Sequence, residues 1–401
     1  MLWRQYVFRR GQEVYSTWDR LFEHRPIRLL FISGRGFDLR SQRVMNAFIE
    51  NVRESRHNIQ EAKLLLVGFS GYQLSQELID QTEENARALE SSFAGIGSTE
   101  TISIGSGTIE EDDVSASTSL RLGANAVLTH VSDQTDIILD VSSLPRVVYL
   151  ALLTGLLHKL IPDKNKPDAL FAGGVNLQVL VAEDAALDAT IRSEDPSNDL
   201  ILIPGYSSAL HAESFQEKPL VWFPVLGENR VSQLQKVMSS VIPTNAEICP
   251  ILPHPSQDPR RADRLLAEYR QPLFDARETP TTNILYAHEA HPFEAYRQLF
   301  GAMRRYRDSL SIMGGCRLVV TPLGSKLITL GVGLACFEIR PSDMGADYGI
   351  AIPYVEPTRY VASPAALRAS NPEISCLLLT GDAYDPGALA AVGQNPTPVK
   401  L

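Results

Sequence analysis

The stretch Arg317–Glu338, RLVVTPLGSKLITLGVGLACFE, constrains the fold more than any other part of the chain. A short apolar run comes first, then a break containing Pro and Gly, then a longer apolar segment without a polar face. This order predicts a buried strand, a tight loop and a buried helix. The loop would present Ser325, Lys326 and the unpaired N–H groups of the helix start, which attract anions.

A second stretch, Asp136–Leu157, has the same design: DIILDVSSLPRVVYLALLTGLL. Aligning Arg146 with Lys326 superposes two apolar helices, Val147–Leu157 and Leu327–Phe337. Each copy has a strand, a polar turn, a cation and an apolar helix in that order. The repetition predicts an internal duplication.

Short apolar runs alternate with helical segments along most of the chain. In the first half the predicted strands are Ile27–Ile32, Lys63–Phe69, Thr101–Ile104, Ile137–Asp140 and Leu177–Val181. In the second half they are Leu220–Leu226, Ile248–Leu252, Asn283–Ala287, Leu318–Val320 and Tyr348–Val355. Continuous apolar strands separated by helices are typical of parallel sheets covered on both faces. The predicted fold is therefore α/β, with two doubly wound Rossmann-like halves in pseudo-duplication.

The same pattern predicts the boundaries of the parts. We expect an N-terminal helix over residues 1–26, a first Rossmann-like half over 27–187 and a polar, turn-rich connection over 188–219. A second Rossmann-like half follows over 220–360. Residues 361–401, rich in Ala, Pro and Gly, are expected to form a loose C-terminal tail.

Charge and composition exclude some classes of function. The net charge of −10 argues against general nucleic-acid binding, which normally needs a basic face. No eighteen apolar residues run together, so a membrane-spanning helix is not expected. The four cysteines lack metal or redox spacing, and no metal site is predicted. We therefore expect a cytoplasmic protein with free, buried thiols.

The turn Gly34-Arg35-Gly36-Phe37-Asp38 follows the first predicted strand and opens a helix. A redox dinucleotide fingerprint would need a third glycine at position 39 and an acid ending the next strand, and both are missing. The sequence GxGFDxR, Gly34 to Arg40, resembles the first motif of the leucine carboxyl methyltransferase group, which implies S-adenosylmethionine. The structural alternative is a tight turn in which Asp38 caps the helix.

Polar residues also cluster at later turns. Asp140, Ser142, Ser143 and Arg146 surround one helix start, where they could hold a phosphate or ribose. Equally, a serine could cap the helix while Asp140 pairs with Arg146. Gly324, Ser325 and Lys326 form a similar turn, and Glu228 and Arg230 follow another strand. No GxxxxGK[ST] frame surrounds Lys326, which argues against ATP hydrolysis.

The segments LDVSSLPRVVYLALL and VVTPLGSKLITLGVGLA resemble the turn and helix of CRISPR-associated Rossmann-fold (CARF) sensor domains. Two such units in one chain resemble the SAVED module of bacterial antiviral signalling. The resemblance implies a cyclic oligonucleotide ligand facing the two cation turns, with Gly34 and Gly36 on the first loop. It also implies a role in antiviral defence and a partner effector protein. Leu144-Pro145 and Pro322-Leu323 replace the paired glycines of the CARF turn.

Our leading hypothesis is a nucleotide or oligonucleotide sensor whose ligand lies at the carboxyl ends of the strands. The alternatives are a nucleotide- or S-adenosylmethionine-dependent transferase using the Gly34–Arg40 turn, and a scaffold subunit of a protein complex. The sequence leaves catalysis open. The predicted ligand-binding residues are Gly34, Gly36, Asp38, Arg40, Asp140, Ser142, Ser143, Arg146, Glu228, Arg230, Gly324, Ser325 and Lys326.

Overall fold

A computed structural model describes residues 1–105, 115–188, 190–342 and 349–386. Its strands are β1 Val7–Arg10, β2 Ile27–Gly34, β3 Ile59–Phe69, β4 Ser98–Ile104, β5 Asp136–Asp140, β6 Asn176–Glu183, β7 Arg192–Pro196, β8 Ile201–Ser207, β9 Leu220–Val225, β10 Glu247–Ile248, β11 Ile251–Pro253, β12 Leu285–Ala287, β13 Arg317–Pro322, β14 Ile350–Tyr354, β15 Pro357–Val361 and β16 Glu373–Thr380. Its α-helices are α1 Gln12–Phe22, α2 Arg40–Glu54, α3 Gln76–Phe93, α4 Ala116–Thr129, α5 Arg146–Leu160, α6 Ala185–Asp188, α7 Ser208–His211, α8 Val231–Val241, α9 Arg261–Glu268, α10 Pro292–Ser309, α11 Lys326–Ile339 and α12 Pro364–Ala369.

Two mainly parallel sheets form the framework. The first has the strand order β1-β16-β6-β5-β2-β3-β4, and the run from β6 to β4 is parallel. The second has the order β12-β11-β9-β13-β14-β8, and the run from β12 to β14 is parallel. Helices flank both sheets, so the predicted Rossmann-like α/β class is confirmed.

The two sheets share one topology. Numbered along the chain, the five parallel strands of each sheet lie in the order 3-2-1-4-5, with an antiparallel strand beside the fifth: β16 beside β6, and β8 beside β14. This is the order of doubly wound folds in general. The pseudo-duplication therefore stays a prediction.

Helices α5 and α11 pack against each other where the two halves meet. Both are apolar on nearly every face, because each is covered by a sheet and by the opposite helix. Their side chains join one hydrophobic cluster that contains residues of both sheets. A Cβ added to Gly333 of α11 would lie 2.9 Å from Cδ2 of Leu153 in α5. The halves thus share a core.

The chain termini differ from the expectation. The N-terminal segment contains a strand, β1, besides helix α1, and β1 pairs with β16. Most of the predicted loose tail is ordered: α12 and β16 lie within it, and β16 is hydrogen-bonded between β1 and β6. The apolar side chains of β16 are buried, which supplies the energy for ordering it. Residues 387–401 of the predicted tail lie outside the described part.

The predicted connection 188–219 also contributes to the sheets. It contains β8, which pairs antiparallel with β14 at the edge of the second sheet, and β7, which pairs with β15 in a separate two-stranded ribbon. The predicted strand Tyr348–Val355 begins outside the described residues, and β14 covers its Ile350–Tyr354 portion. Among the helices of the described ranges, none has the length and apolar character needed to cross a membrane.

Candidate functional site

A cavity of about 680 Å³ lies between the halves, at the carboxyl ends of strands from both sheets. The turns after β5 and β6 line it from one side, and the turns after β9 and β13 line it from the other. Doubly wound sheets bind ligands at these strand ends. The volume is in the range of small-molecule sites.

Nine of the thirteen predicted site residues line this cavity. From the first half they are Asp38, Arg40, Ser143 and Arg146, and from the second half Glu228, Arg230, Gly324, Ser325 and Lys326. Gly34, Gly36, Asp140 and Ser142 do not line it. Ligand binding by the nine stays a prediction.

Gly34 and Gly36 allow two turns of the first half to touch. A Cβ on Gly34 would lie 2.6 Å from Ser143 Oγ, and a Cβ on Gly36 would lie 3.1 Å from the Ser143 carbonyl oxygen. The Ser143 hydroxyl donates a hydrogen bond to the Gly34 carbonyl at 3.0 Å. Close contact between the turns explains these glycines.

Asp140 and Ser142 hold the same turn from behind. The Asp140 carboxylate accepts hydrogen bonds from Ser33 Oγ at 2.8 Å and from the Ser142 N–H at 2.9 Å, and Ser142 Oγ accepts from the Ala182 N–H. Burial raises the pKa of Asp140 to about 6. The expected serine cap is wrong, since Pro145 occupies the N-cap of α5 without a side-chain cap. The expected Asp140–Arg146 ion pair is also wrong, because Arg146 bonds Tyr354 and Gly324 instead.

Asp38 and Arg40 form a buried ion pair at the start of α2. Arg40 Nη2 lies 2.6 Å from Asp38 Oδ2. Arg40 also contacts a second acid of the cavity, because its Nη1 lies 2.8 Å from Asp188 Oδ1. Burial alone would raise the pKa of Asp38, but the Arg40 charge and hydrogen bonds outweigh it and lower that pKa. Both Asp38 oxygens are engaged by Arg40, and a cofactor site at the Gly34–Arg40 turn stays a prediction.

Arg146 and Lys326 each reach across to the other half. Arg146 donates to the Gly324 carbonyl at 2.5 Å and to the Tyr354 hydroxyl at 2.8 Å. Lys326 Nζ donates to the Ser142 carbonyl. Burial, together with the nearby Arg40 charge, lowers the pKa of Lys326 to about 8. The two cations thus join the halves beside the cavity.

On the second-half wall, one arginine connects two acids. Arg261 Nε lies 2.5 Å from Glu228 Oε1, and Arg261 Nη1 lies 2.6 Å from Glu289 Oε2. Burial would raise the pKa of Glu228, but the hydrogen bond and charge of Arg261 outweigh it and lower that pKa. Arg230 occupies the N-cap position of α8. Sequence reasoning missed the Arg261 link because its partners are 28 or more residues away.

Carboxylates lie at the N-terminal ends of helices α2, α5 and α8 beside the cavity. Asp38 accepts from the Arg40 N–H of α2 at 3.1 Å, and Glu268 accepts from the Asn229 N–H before α8 at 2.8 Å. The Glu356 carboxylate lies close enough to the Val147 N–H of α5 for that N–H to lower its pKa. Helix α11 differs, because a neutral hydroxyl, Ser325 Oγ, accepts from the Ile328 N–H. Within the described ranges no carboxylate accepts a hydrogen bond from the first turn of α11.

Aromatic rings form another part of the cavity wall. The centroids of Tyr72 and Tyr360 lie 4.9 Å apart in an edge-to-face arrangement, and Phe37 packs on Tyr360 at 6.2 Å. Burial raises the pKa of both tyrosine hydroxyls above their ordinary value, so both stay neutral. Such rings can stack on a planar ligand group.

Two carboxyl groups were also missed as site features. Glu183 ends β6 and lines the cavity. Glu356 is 1% exposed, and its Oε1 has no hydrogen-bond partner among the described atoms that meets ordinary geometry. The sequence offered a signal for Glu183, since it directly follows the apolar run LQVLVA.

No protein family matches the chain, and no curated protein matches it. A functionally unknown protein from Pseudomonas aeruginosa PAO1 is 10% identical over 87% of this chain and 96% of its own, with a TM-score of 0.20. The cytoplasmic domain of a prokaryotic cation chloride cotransporter is 10% identical over 83% and 96%, with a TM-score of 0.22. A Listeria monocytogenes protein named for UDP-N-acetylglucosamine 2-epimerase is 10% identical over 81% and 92%, also at 0.22. Likenesses at these TM-scores carry no argument about function.

Proposed function

We propose that the cavity binds a nucleotide, with an anionic phosphate group at the start of helix α11. The observation that carries this proposal is the contrast between the helix starts at the cavity. A carboxylate lies at the start of each of α2, α5 and α8, whereas α11 begins with the Gly324-Ser325 turn and a neutral cap. Unpaired N–H groups and the helix dipole favour an anion there.

The surroundings of α11 support a nucleotide among anionic ligands. The guanidinium of Arg146 contacts the Gly324 carbonyl and so adds positive charge beside the turn. Tyr72 and Tyr360 offer faces for a base within the same cavity. The proposed ligand is a mononucleotide, and the cyclic oligonucleotide that the resemblance to CARF and SAVED implies stays a separate prediction. The starts of α5 and α11 differ, because the Glu356 carboxylate lies at the start of α5. This difference favours a ligand that is bound asymmetrically.

A charge placed at Gly324 tests the proposal. The Cβ of a substituted residue would lie 3.1 Å from Val225 Cγ1, a tight contact that is the same for either side chain tested. Calorimetric titration with ADP, GDP, CDP and UDP would be done on the wild type, Gly324→Asp and Gly324→Asn. We expect at least one nucleotide to bind the wild type, Gly324→Asp to weaken its binding by about a hundredfold, and Gly324→Asn by less than tenfold. Equal binding by Gly324→Asp, or no binding of any of the four nucleotides, would overturn the proposal.

A further inference from the structure

We propose that Glu183 accepts hydrogen bonds from the ribose hydroxyls of the bound nucleotide and makes the cavity selective for ribonucleotides. This inference rests on the proposed function. It concerns a second part of the ligand, the ribose, which would bind at the end of β6 in the same cavity. Glu183 belongs neither to the glycine turn nor to the two cation turns that were predicted to bind the ligand.

The position of Glu183 is the first argument. It is the last residue of β6, its side chain is half-buried, and it lines the cavity. The charges that act on its carboxyl group are those of Asp188, Arg10, Arg40 and Lys326, and all four of these residues line the same cavity. A ligand in the cavity therefore reaches Glu183 without any rearrangement of the sheet.

The neighbouring cations are engaged with other partners. Arg10 Nη2 lies 2.5 Å from Glu373 Oε2. Arg40 is held by Asp38 and Asp188, and Lys326 donates to the Ser142 carbonyl. No cation of the described ranges lies within 4.0 Å of the Glu183 carboxylate, and no hydrogen bond to it is formed there.

The other acids on this wall already have donors. Asp184 accepts from Ser370 Oγ at 2.6 Å and from the Leu187 N–H at 3.0 Å, and Asp188 accepts from Arg40. Glu183 differs from both. A half-buried carboxylate without donors is unfavourable, and a ligand that brings donors relieves that cost. Two adjacent hydroxyls match the two oxygens of a carboxylate, which is how carboxylates hold ribose in doubly wound folds.

The raised pKa of Glu183 predicts that the affinity for the nucleotide depends on pH. Burial, reinforced by the negative charge of Asp188, raises its pKa to about 7, against the opposing charges of Arg10, Arg40 and Lys326. Hydroxyl donors bind the ionised form. The ionised fraction rises severalfold between pH 6 and pH 7.5, so the affinity should rise with it.

The test compares ribose with deoxyribose. The nucleoside diphosphate that binds most tightly in the four-base titration, and its 2′-deoxy counterpart, would be titrated into the wild type, Glu183→Gln and Glu373→Gln. The last variant is the control, because Glu373 lines the same cavity but is paired with Arg10. We expect the wild type and Glu373→Gln to prefer ribose by about tenfold, the size of one hydrogen bond to a charged group. In Glu183→Gln the preference should fall below about threefold and the pH dependence should flatten.

The outcomes separate the two proposals. If no nucleotide binds, or if Gly324→Asp changes nothing, the proposed function fails and this inference fails with it. If nucleotide binds and Gly324→Asp abolishes binding, but the wild type treats ribose and deoxyribose alike, the proposed function stands and the role of Glu183 is overturned. A ribose preference that survives in Glu183→Gln also overturns it.

Discussion

At the scale of single residues, the cavity wall consists mainly of charges that compensate one another. Asp38 and Arg40 are the deepest example, with side chains 10% and 3% exposed. Removing one partner of a buried pair leaves the other charge in a poor environment, which costs more than the pair contributes to stability. This explains why Asp38, predicted from its place in the glycine turn, has a structural partner here.

Asp38→Asn should therefore destabilise the fold by about 3 kcal/mol, measured by urea denaturation at pH 7. Arg35→Gln, which breaks the more exposed Arg35–Glu83 pair, is the control and should cost less than about 1 kcal/mol. Because the folded-state pKa of Asp38 is lowered, its stabilisation is present above the unfolded value, about 3.9, and is lost as the pH falls below it. A loss in Asp38→Asn no larger than in the control would contradict the ion-pair account.

The contribution of Glu356 to stability should change with pH in the opposite direction. Burial raises its pKa to about 7, against the charges of Arg146 and Arg230, whereas an unfolded glutamate has a value of about 4.3. The wild type should therefore lose stability relative to Glu356→Gln as the pH rises between these values. The expected slope is up to about 1.4 kcal/mol per pH unit. Urea titrations at pH 5, 6 and 7 would measure it, with exposed Glu217→Gln as the control. A difference that stays constant with pH would refute the assignment.

The position of a predicted site residue in the fold could be foreseen where local sequence decides it. The turns after β5, β9 and β13 follow apolar runs directly, so their residues were expected at strand ends, and seven of the predicted ones line the cavity. The partners of those residues were not predictable. Arg146 contacts Gly324 across 178 positions of sequence, and no local pattern encodes such a contact.

At the scale of elements, glycines decide how α11 packs. A Cβ on Gly331 would lie 2.3 Å from the backbone carbonyl oxygen of Pro292 in α10, a contact that no side-chain motion relieves. Gly301 in α10 is different, because the nearest atom to its Cβ would be Arg305 Nη1 at 3.4 Å. Gly331 and Gly301 are therefore matched sites for comparing the effect of an added Cβ in a helix.

Gly331→Ala should lower the free energy of unfolding by about 1–3 kcal/mol through overpacking, although alanine favours a helix by about 1 kcal/mol. Gly301→Ala should keep that propensity gain and stabilise the protein by up to about 1 kcal/mol. Thermal denaturation of both variants measures the contrast. Equal effects of the two substitutions would mean that α10 and α11 are not in backbone contact at Gly331.

The strands of the two parallel runs were largely foreseen, and the terminal strands were not. The predicted Ile27–Ile32 and Ile137–Asp140 fall within β2 and β5. Each is a continuous apolar run, which the sequence displays directly. Strand β1 has the sequence VFRR, without a continuous apolar run, and it forms because it pairs with β16. Arg9 of β1 lies opposite Cys376 of β16, 367 positions later in the sequence. Pairing at such separation leaves no trace in local periodicity.

At the scale of the whole molecule, the two sheets enclose one site. Their parallel strands end at the same cavity, and α5 and α11 join the halves immediately behind it. Neither half closes the cavity alone, since the proposed phosphate position lies on α11 and the proposed ribose position lies on β6. A ligand must therefore contact both halves to occupy the site.

Hydrogen–deuterium exchange with and without the nucleotide that binds most tightly tests this claim most directly. The first turn of α11 has amides without carboxylate partners, and a phosphate there would slow their exchange. We predict that segments 143–149 and 323–329 become protected together, along with the end of β6 near Glu183. Protection confined to one half, or a bound nucleotide that protects neither segment, would contradict the account.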